Sequence, residues 1–287
     1  MTENVPTRAG FWRRYARNPG AVIGLFIIVV LIGIALAAPM LYPVSPWKMV
    51  QRPFVVPFTN PRVPLGTDTL GRNVIVGLVH GARVSLLIGV VSTGVSLAIG
   101  VPLGAIAGYF GGLIDDIAMR VTEFFQTVPS FALAIVLVAI LQPSLTSIIL
   151  AIAIVGWPPV ARLVRGEVMA QRQRAYVEAA TLSGQGHATI ILRQILPNVV
   201  SPVIVLASLM IATAILLESS LSFLGLGDPS AMSWGYMIGA ARTVVRQAWW
   251  LSVMPGAAIV VTVLALNLIG DGLSEALDPR SSRDGGR

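Results

Sequence analysis

The chain has 287 residues, 55% of them hydrophobic and only 11% charged. Soluble domains carry roughly a quarter charged residues, so this is an integral membrane protein. The formal net charge of +7 comes from arginines that flank apolar runs, which makes it a signature of membrane topology and not of a nucleic-acid partner.

Residues 1–20 are polar, with Arg8, Arg13, Arg14 and Arg17 before Pro19-Gly20. Residues 21–41 follow as an apolar run long enough to cross about 30 Å of hydrocarbon. It exceeds the roughly 7–15 residues of a signal-peptide core, so it is expected to be a retained span. Residues 42–84 form a proline-rich polar stretch, expected to be an ordered external segment. A second span is expected over residues 85–109, where Gly89, Gly94, Gly100, Gly104 and Gly108 suit close helix packing in lipid.

Residues 115–127 are amphipathic, with Asp115, Asp116, Arg120 and Glu123 among Ile, Met, Val and Phe. That pattern predicts an interfacial helix. Spans are expected over 131–141, which is short, and over 145–164, where Trp157-Pro158-Pro159 should kink the helix or end its straight portion. Two more are expected over 199–217 and 251–269. The connection at 228–248 leads into Trp249-Trp250, an aromatic pair suited to the membrane interface. The result is an all-α protein with six spans and both termini on one side. Most of the basic residues lie on that side, which the positive-inside rule assigns to the cytoplasm.

The polar island between the fourth and fifth spans, about residues 166–198, is the most distinctive stretch. Glu178-Ala179-Ala180 lies on a helix-prone segment that Gly184 should break. A second short helix carrying Ile190, Ile191, Leu192, Ile195 and Leu196 would lie across the first, and Pro197 is expected to end it. The pattern fits a knob made for a partner's groove, and it also fits an ordinary cytoplasmic loop. Arg162 and Arg165, three apart on one helix face, fit either positive-inside decoration or partnership with carboxylates near Glu178.

Zero cysteines exclude disulfides, thiolate metal sites and cysteine nucleophiles. The single lysine, Lys48, follows Trp47, so no GxxxxGK(S/T) phosphate loop exists and any ATP must bind another polypeptide. His80 and His187 lie in segments assigned to opposite sides of the membrane, so they cannot share a metal. No esterase elbow, zincin motif or paired intramembrane acid is present, and no enzyme activity or bound cofactor is expected. Glu218 is the one carboxylate contiguous with an apolar helix. It is read as the water-facing end of its span, bonded to Ser219, Ser220 or a backbone donor, with a pathway or gating role as the alternative.

These motifs resemble one family. Glu178-Ala179-Ala180, Gly184 and Leu196-Pro197 have the spacing of the EAA motif of bacterial ABC-importer permeases, with Gln194 where the general motif has Ile. Leu65-Gly66-Thr67-Asp68, Gly71-Arg72, Gly81 to Leu86, Leu221 to Gly227, Ser233-Trp234-Gly235, Asn267 to Leu273 and Asp278-Pro279-Arg280 resemble the second permease of the dipeptide/oligopeptide/nickel branch. Asn73, Ser274 and Glu275 depart from its usual residues.

The resemblance implies a type I importer permease in the bacterial inner membrane. It would have a cytoplasmic N-terminus (1–20), a first span (21–41), an external segment (42–84), a five-span core (85–277) and a cytoplasmic tail (278–287). It also implies ATPase docking through Glu178, Ala179, Ala180, Gly184, Gln194, Leu196 and Pro197, with support from Arg162 and Arg165. The implied partners are a homologous permease, one or two P-loop ATPases that carry ATP and Mg, an extracytoplasmic binding protein and membrane lipid. Peptide is the leading cargo class, with glutathione and nickel chelates also carried by this branch. A stand-alone secondary transporter or channel is the alternative, and a scaffold or sensor that only binds an ATPase is a third reading.

Overall fold

The computed structural model describes residues 8–277, so Asp278-Pro279-Arg280 lies outside the described residues. Within them the chain is helical apart from two isolated bridges, Met49 with Arg72 and Thr67 with Asn73. Helix α1 (Arg8–Tyr15) is short. Helix α2 (Pro19–Leu41) begins where Asn18 accepts the Ala21 N–H and Pro19 supplies a preset backbone angle. At 23 residues it spans about 35 Å.

Helix α3 (Val74–Phe110) starts eleven residues before the expected span, because the Asn73 side chain caps it through the Ile75 N–H. Its glycines divide by environment. A Cβ at Gly100, Gly104 or Gly108 would fall 2.7, 2.4 and 2.6 Å from the carbonyls of Trp157, Ala161 and Arg165. Those carbonyls repeat every four residues along α6 (Leu145–Arg172), so the two backbones touch along a whole seam. Gly89 plays the same part against Ile211 and Ile215, whereas Gly94 faces open space.

Helix α4 (Gly112–Thr127) and helix α5 (Ser130–Leu141) meet at an 83° bend at Val128-Pro129. Twelve residues reach only about 18 Å, so α5 cannot cross the bilayer alone. Among the described residues five helices are long and apolar enough to cross, and α4 with α5 passes the same test only as a pair, as a broken span or a re-entrant loop. Helix α6 stays helical through Pro158 and Pro159 and runs eight residues past the expected span end.

The polar island folds as α7 (Ala175–Leu182), a turn α8 (His187–Thr189), a π-helical segment (Ile190–Ile195) and α9 (Leu196–Phe223). The last three form one continuous helix, so Pro197 does not end it. Proline has no N–H for the carbonyl four residues back, and the π turn absorbs the mismatch: Leu196 N–H bonds the Ile191 carbonyl, five residues back. The Asn198 amide takes up the Gln194 carbonyl at 2.7 Å.

Helix α10 (Trp234–Ala241) lies inside the connection at 228–248, and α11 (Trp250–Leu277) closes the bundle. Trp249 is exposed, but Trp250 is buried and gives its indole N–H to the Thr67 carbonyl at 3.4 Å, so it is a packing residue and not an interface anchor. The start of α2 and the end of α11 lie together. Asn18 donates to Glu275 at 2.8 Å, and a Cβ on Gly272 would overlap Ala21. The two described ends therefore share one end of the bundle.

Between α2 and α3, the segment 42–73 is ordered by its glycines. Gly66 and Gly71 have φ of +79° and +78°, and a Cβ on either would meet a carbonyl, that of Val55 or Gln51, at 2.3 or 2.0 Å. The Asp68 carboxylate accepts from the Arg72 backbone and side chain, and the Arg72 guanidinium stacks 5.1 Å from the Trp47 ring.

Candidate functional site

Helix α6 ends at Arg172, and α7 then packs back against the π-helical segment. Val177 and Ala180 of α7 join Ile190, Ile191 and Ile195 in an apolar core that continues through Val164, Val168 and Tyr109. The knob thus has its own core, rooted in α3 and α6. Its sharp reversal depends on Gly184, whose φ is +75°. Gly184 N–H bonds Thr181 O at 3.0 Å and Gln185 N–H bonds Ala180 O at 3.2 Å. That is the paired C-terminal capping pattern in which glycine carries the left-handed position.

Two further ties brace the knob. Tyr109 and the His187 Nδ1 share a hydrogen bond of 2.9 Å. Tyr176 donates to Gln171 at 2.9 Å and accepts from Asn198 at 3.4 Å, linking the knob's entry to its exit. Burial pushes the Tyr176 phenol above its ordinary range, ahead of the opposing hydrogen bond from Asn198.

Seven of the predicted docking residues come together here, with different surroundings. Glu178, Ala179, Gly184 and Pro197 are exposed, Gln194 and Leu196 are half-buried, and Ala180 is inside the knob's core. A Cβ on Gly184 would meet nothing within 4 Å, so that surface is open. Leu182, which the sequence did not single out, and Leu192, expected on the apolar set of the second short helix, stand 84% and 63% exposed on the same knob. Their signal was two leucines out of phase with the buried positions of a polar segment.

Arg165 points elsewhere. It pairs with both carboxylate oxygens of Asp115 on α4, the Nη2 to Oδ2 distance being 2.6 Å, and not with a carboxylate near Glu178. Arg162 is exposed on the same helix.

Glu218 also lies apart, and it is not water-facing: only 1% of it is exposed. Ser222 and Ser233 donate to its Oε1 at 2.8 and 2.7 Å, and Ser219 reaches Oε2 at 3.5 Å, while Ser220 bonds Leu216 instead. Ser233 also caps α10 by accepting the Tyr236 N–H, so Glu218 fastens α10 to α9. Gly235 leaves room for it: a Cβ there would sit 2.7 Å from both carboxylate oxygens. Trp234 then seats against Gly81 and takes the Ser85 hydroxyl as its backbone acceptor at 3.1 Å. Among the described residues no cluster of three or more His, Asp or Glu could hold a metal.

Residues 100–283 match the family described as binding-protein-dependent transport system inner membrane component. The chain belongs to that family. Residues 8–60 match the N-terminal transmembrane domain of oligopeptide transport permease C. The chain is 41% identical over 276 residues to the di/tripeptide transport system permease protein DppC of Pseudomonas aeruginosa, covering 94% of this chain and 91% of that protein. It is 38% identical to the dipeptide transport system permease protein DppC of Haemophilus influenzae, with 94% of each chain covered. It is also 39% identical to the glutathione transport system permease protein GsiD of Pectobacterium atrosepticum, covering 94% and 90%. A chain of the inward-facing MetNI methionine ABC transporter shares the fold, with a TM-score of 0.58 at 17% identity over 68% of this chain and 93% of that one. The protein is thus a permease subunit of an ABC importer with the type I fold.

Proposed function

We propose that the chain forms half of the translocation pathway of an ATP-driven importer for di- or oligopeptides in the bacterial cytoplasmic membrane. Its partners are a homologous second permease, one or two P-loop ATPases that bind ATP and Mg, and an extracytoplasmic binding protein. Both termini and the knob face the cytoplasm, and the external segment faces the binding protein. The names of its relatives support peptide as the cargo class.

The observation that carries ATPase docking is the knob itself. It is a self-packed unit at the end of α6 that leaves Leu182 and Leu192 uncovered beside Glu178, Ala179 and Gly184. Exposed apolar residues on a rigid polar knob mark an interaction surface. Because the knob runs into α9 as one helix and packs on the end of α6, a pull on it would move both helices, and ATP-driven closure would shift the population between outward and inward openings. Glu218 serves as a positioning residue for α10, and Arg165 braces α6 on α4.

The test is co-purification from native membranes with a C-terminal tag in mild detergent. A second permease and P-loop ATPases in the eluate are expected. A chain that elutes alone or as a homodimer, even after crosslinking, would favour a stand-alone carrier.

A further inference from the structure

Segment 42–73 carries a surface that its own packing does not use. Val55, Pro57 and Val63 are buried, and the backbone beside them is pinned along residues 64–68. Phe54 N–H bonds the Asp68 carbonyl at 3.2 Å, Val55 N–H the Thr67 hydroxyl at 2.9 Å and Phe58 N–H the Pro64 carbonyl at 2.8 Å. On that fixed frame Phe54 and Phe58 have φ of +58° and +64°, two of the three non-glycine residues with positive φ among the described residues. A bulky side chain rarely adopts that backbone, and strain of this kind clusters at ligand clamps and binding sites. Phe58 is 82% exposed, and Val56 beside it 50%. The strained backbone therefore presents an apolar ring to the outside, which folding alone does not reward.

The free charges around it are of one sign. Lys48, Arg52 and Arg62 are exposed and have no carboxylate partner among the described residues. The segment's one carboxylate, Asp68, is taken by Arg72. Tryptophan and tyrosine are the residues that anchor proteins at a lipid interface, and here they are engaged with each other. Trp47 and Tyr236 pack edge to face at 5.2 Å, with the Arg72 guanidinium over both rings. An exposed phenylalanine among arginines, with no free acid, has the composition of a protein–protein contact.

We propose that this loop is the permease's contact for an acidic patch on the extracytoplasmic binding protein. Phe58 is the apolar anchor, and Lys48, Arg52 and Arg62 face the partner's carboxylates. The proposal rests on the importer reading and on the external placement of this segment.

The test uses the full complex in nanodiscs and its purified binding protein loaded with tri-alanine, and it reads ATP hydrolysis. In Phe58→Ala the binding-protein concentration that gives half-maximal stimulation is expected to rise about 10-fold or more, with the maximal rate unchanged. Phe58→Gly separates contact from folding, because it relieves the left-handed backbone. Its melting temperature should hold or rise while its half-maximal concentration still increases. Arg52→Glu with Arg62→Glu should also raise that concentration, and should abolish its increase with salt between about 50 and about 300 mM. A wild-type half-maximal concentration in Phe58→Ala or in the double charge reversal would overturn the proposal. So would an effect confined to nanodiscs containing phosphatidylglycerol and absent from phosphatidylcholine, which assigns the loop to lipid. A wild-type complex that the loaded binding protein does not stimulate would overturn the importer reading instead.

Discussion

The Arg165 guanidinium holds both carboxylate oxygens of Asp115, joining the helix that leads into the knob to the amphipathic helix that bends into α5. The pair is partly buried, with 11% of the Asp115 side chain and 30% of the Arg165 side chain exposed. Two charge-assisted bonds across α6 and α4 give a rigid strut between the knob and the bent α4–α5 pair. Asp115→Ala or Arg165→Ala is expected to cost about 2 kcal/mol and to lower peptide-stimulated ATP hydrolysis by the complex. The swap Asp115→Arg with Arg165→Asp should recover part of the loss, read as coupling in a double-mutant cycle.

Glu218 accepts from three serines and leaves α10 fastened to α9. Glu218→Ala orphans buried hydroxyls, each costing about 1–3 kcal/mol, and should lower the melting temperature of the purified chain. Glu218→Gln keeps the size and one acceptor and should fall between. If Glu218→Ala melts like wild type but abolishes transport, a pathway role replaces the positioning role.

Within the knob, Gly184 and Ala180 should fail differently. Gly184→Glu directs a charge into open space, so the knob keeps its core and only a partner is obstructed; the left-handed backbone adds about 1–2 kcal/mol of local strain. Ala180→Glu puts a charge among Val177, Ile190 and Ile195 and unseats the knob itself. Both variants should abolish uptake, but limited proteolysis should cut only the Ala180→Glu knob faster than wild type.

Asp228 fastens the start of α6 through the Leu145 N–H at 2.7 Å and also accepts from Ser230. Burial pushes its carboxyl up, but these donors outweigh burial and hold it below the ordinary carboxylate value. A depressed value means that the stabilisation is present above the unfolded carboxylate pKa and is lost as pH falls through the folded one. Thermal melts of wild type should therefore lose stability on acidification below about pH 4. Asp228→Ala should show a smaller acid-dependent loss.

The long apolar runs made the spans legible, because a helix that must satisfy its backbone in lipid writes itself as about twenty apolar residues. Helix ends were less legible. Val74 to Arg83 carries His80 and Arg83 and reads as loop, yet the Asn73 cap starts the helix there. Pro197 reads as a stop because a π turn leaves no simple mark in sequence. Helix α10 escaped notice because its anchors, Glu218 and Ser85, are distant in the chain. The knob's motif residues were readable, but the pairing of Arg165 with Asp115, 50 residues away, was not.

The most direct measurement is photocrosslinking from Leu182, which is 84% exposed at the tip of α7. In a chain without natural cysteines, Leu182→Cys accepts a single benzophenone-maleimide label. Irradiation of the intact complex should yield an adduct whose partner peptides come from a P-loop ATPase, and ATP should change its yield. A complex that hydrolyses ATP in response to peptide yet gives no ATPase adduct from Leu182 would contradict docking through this knob.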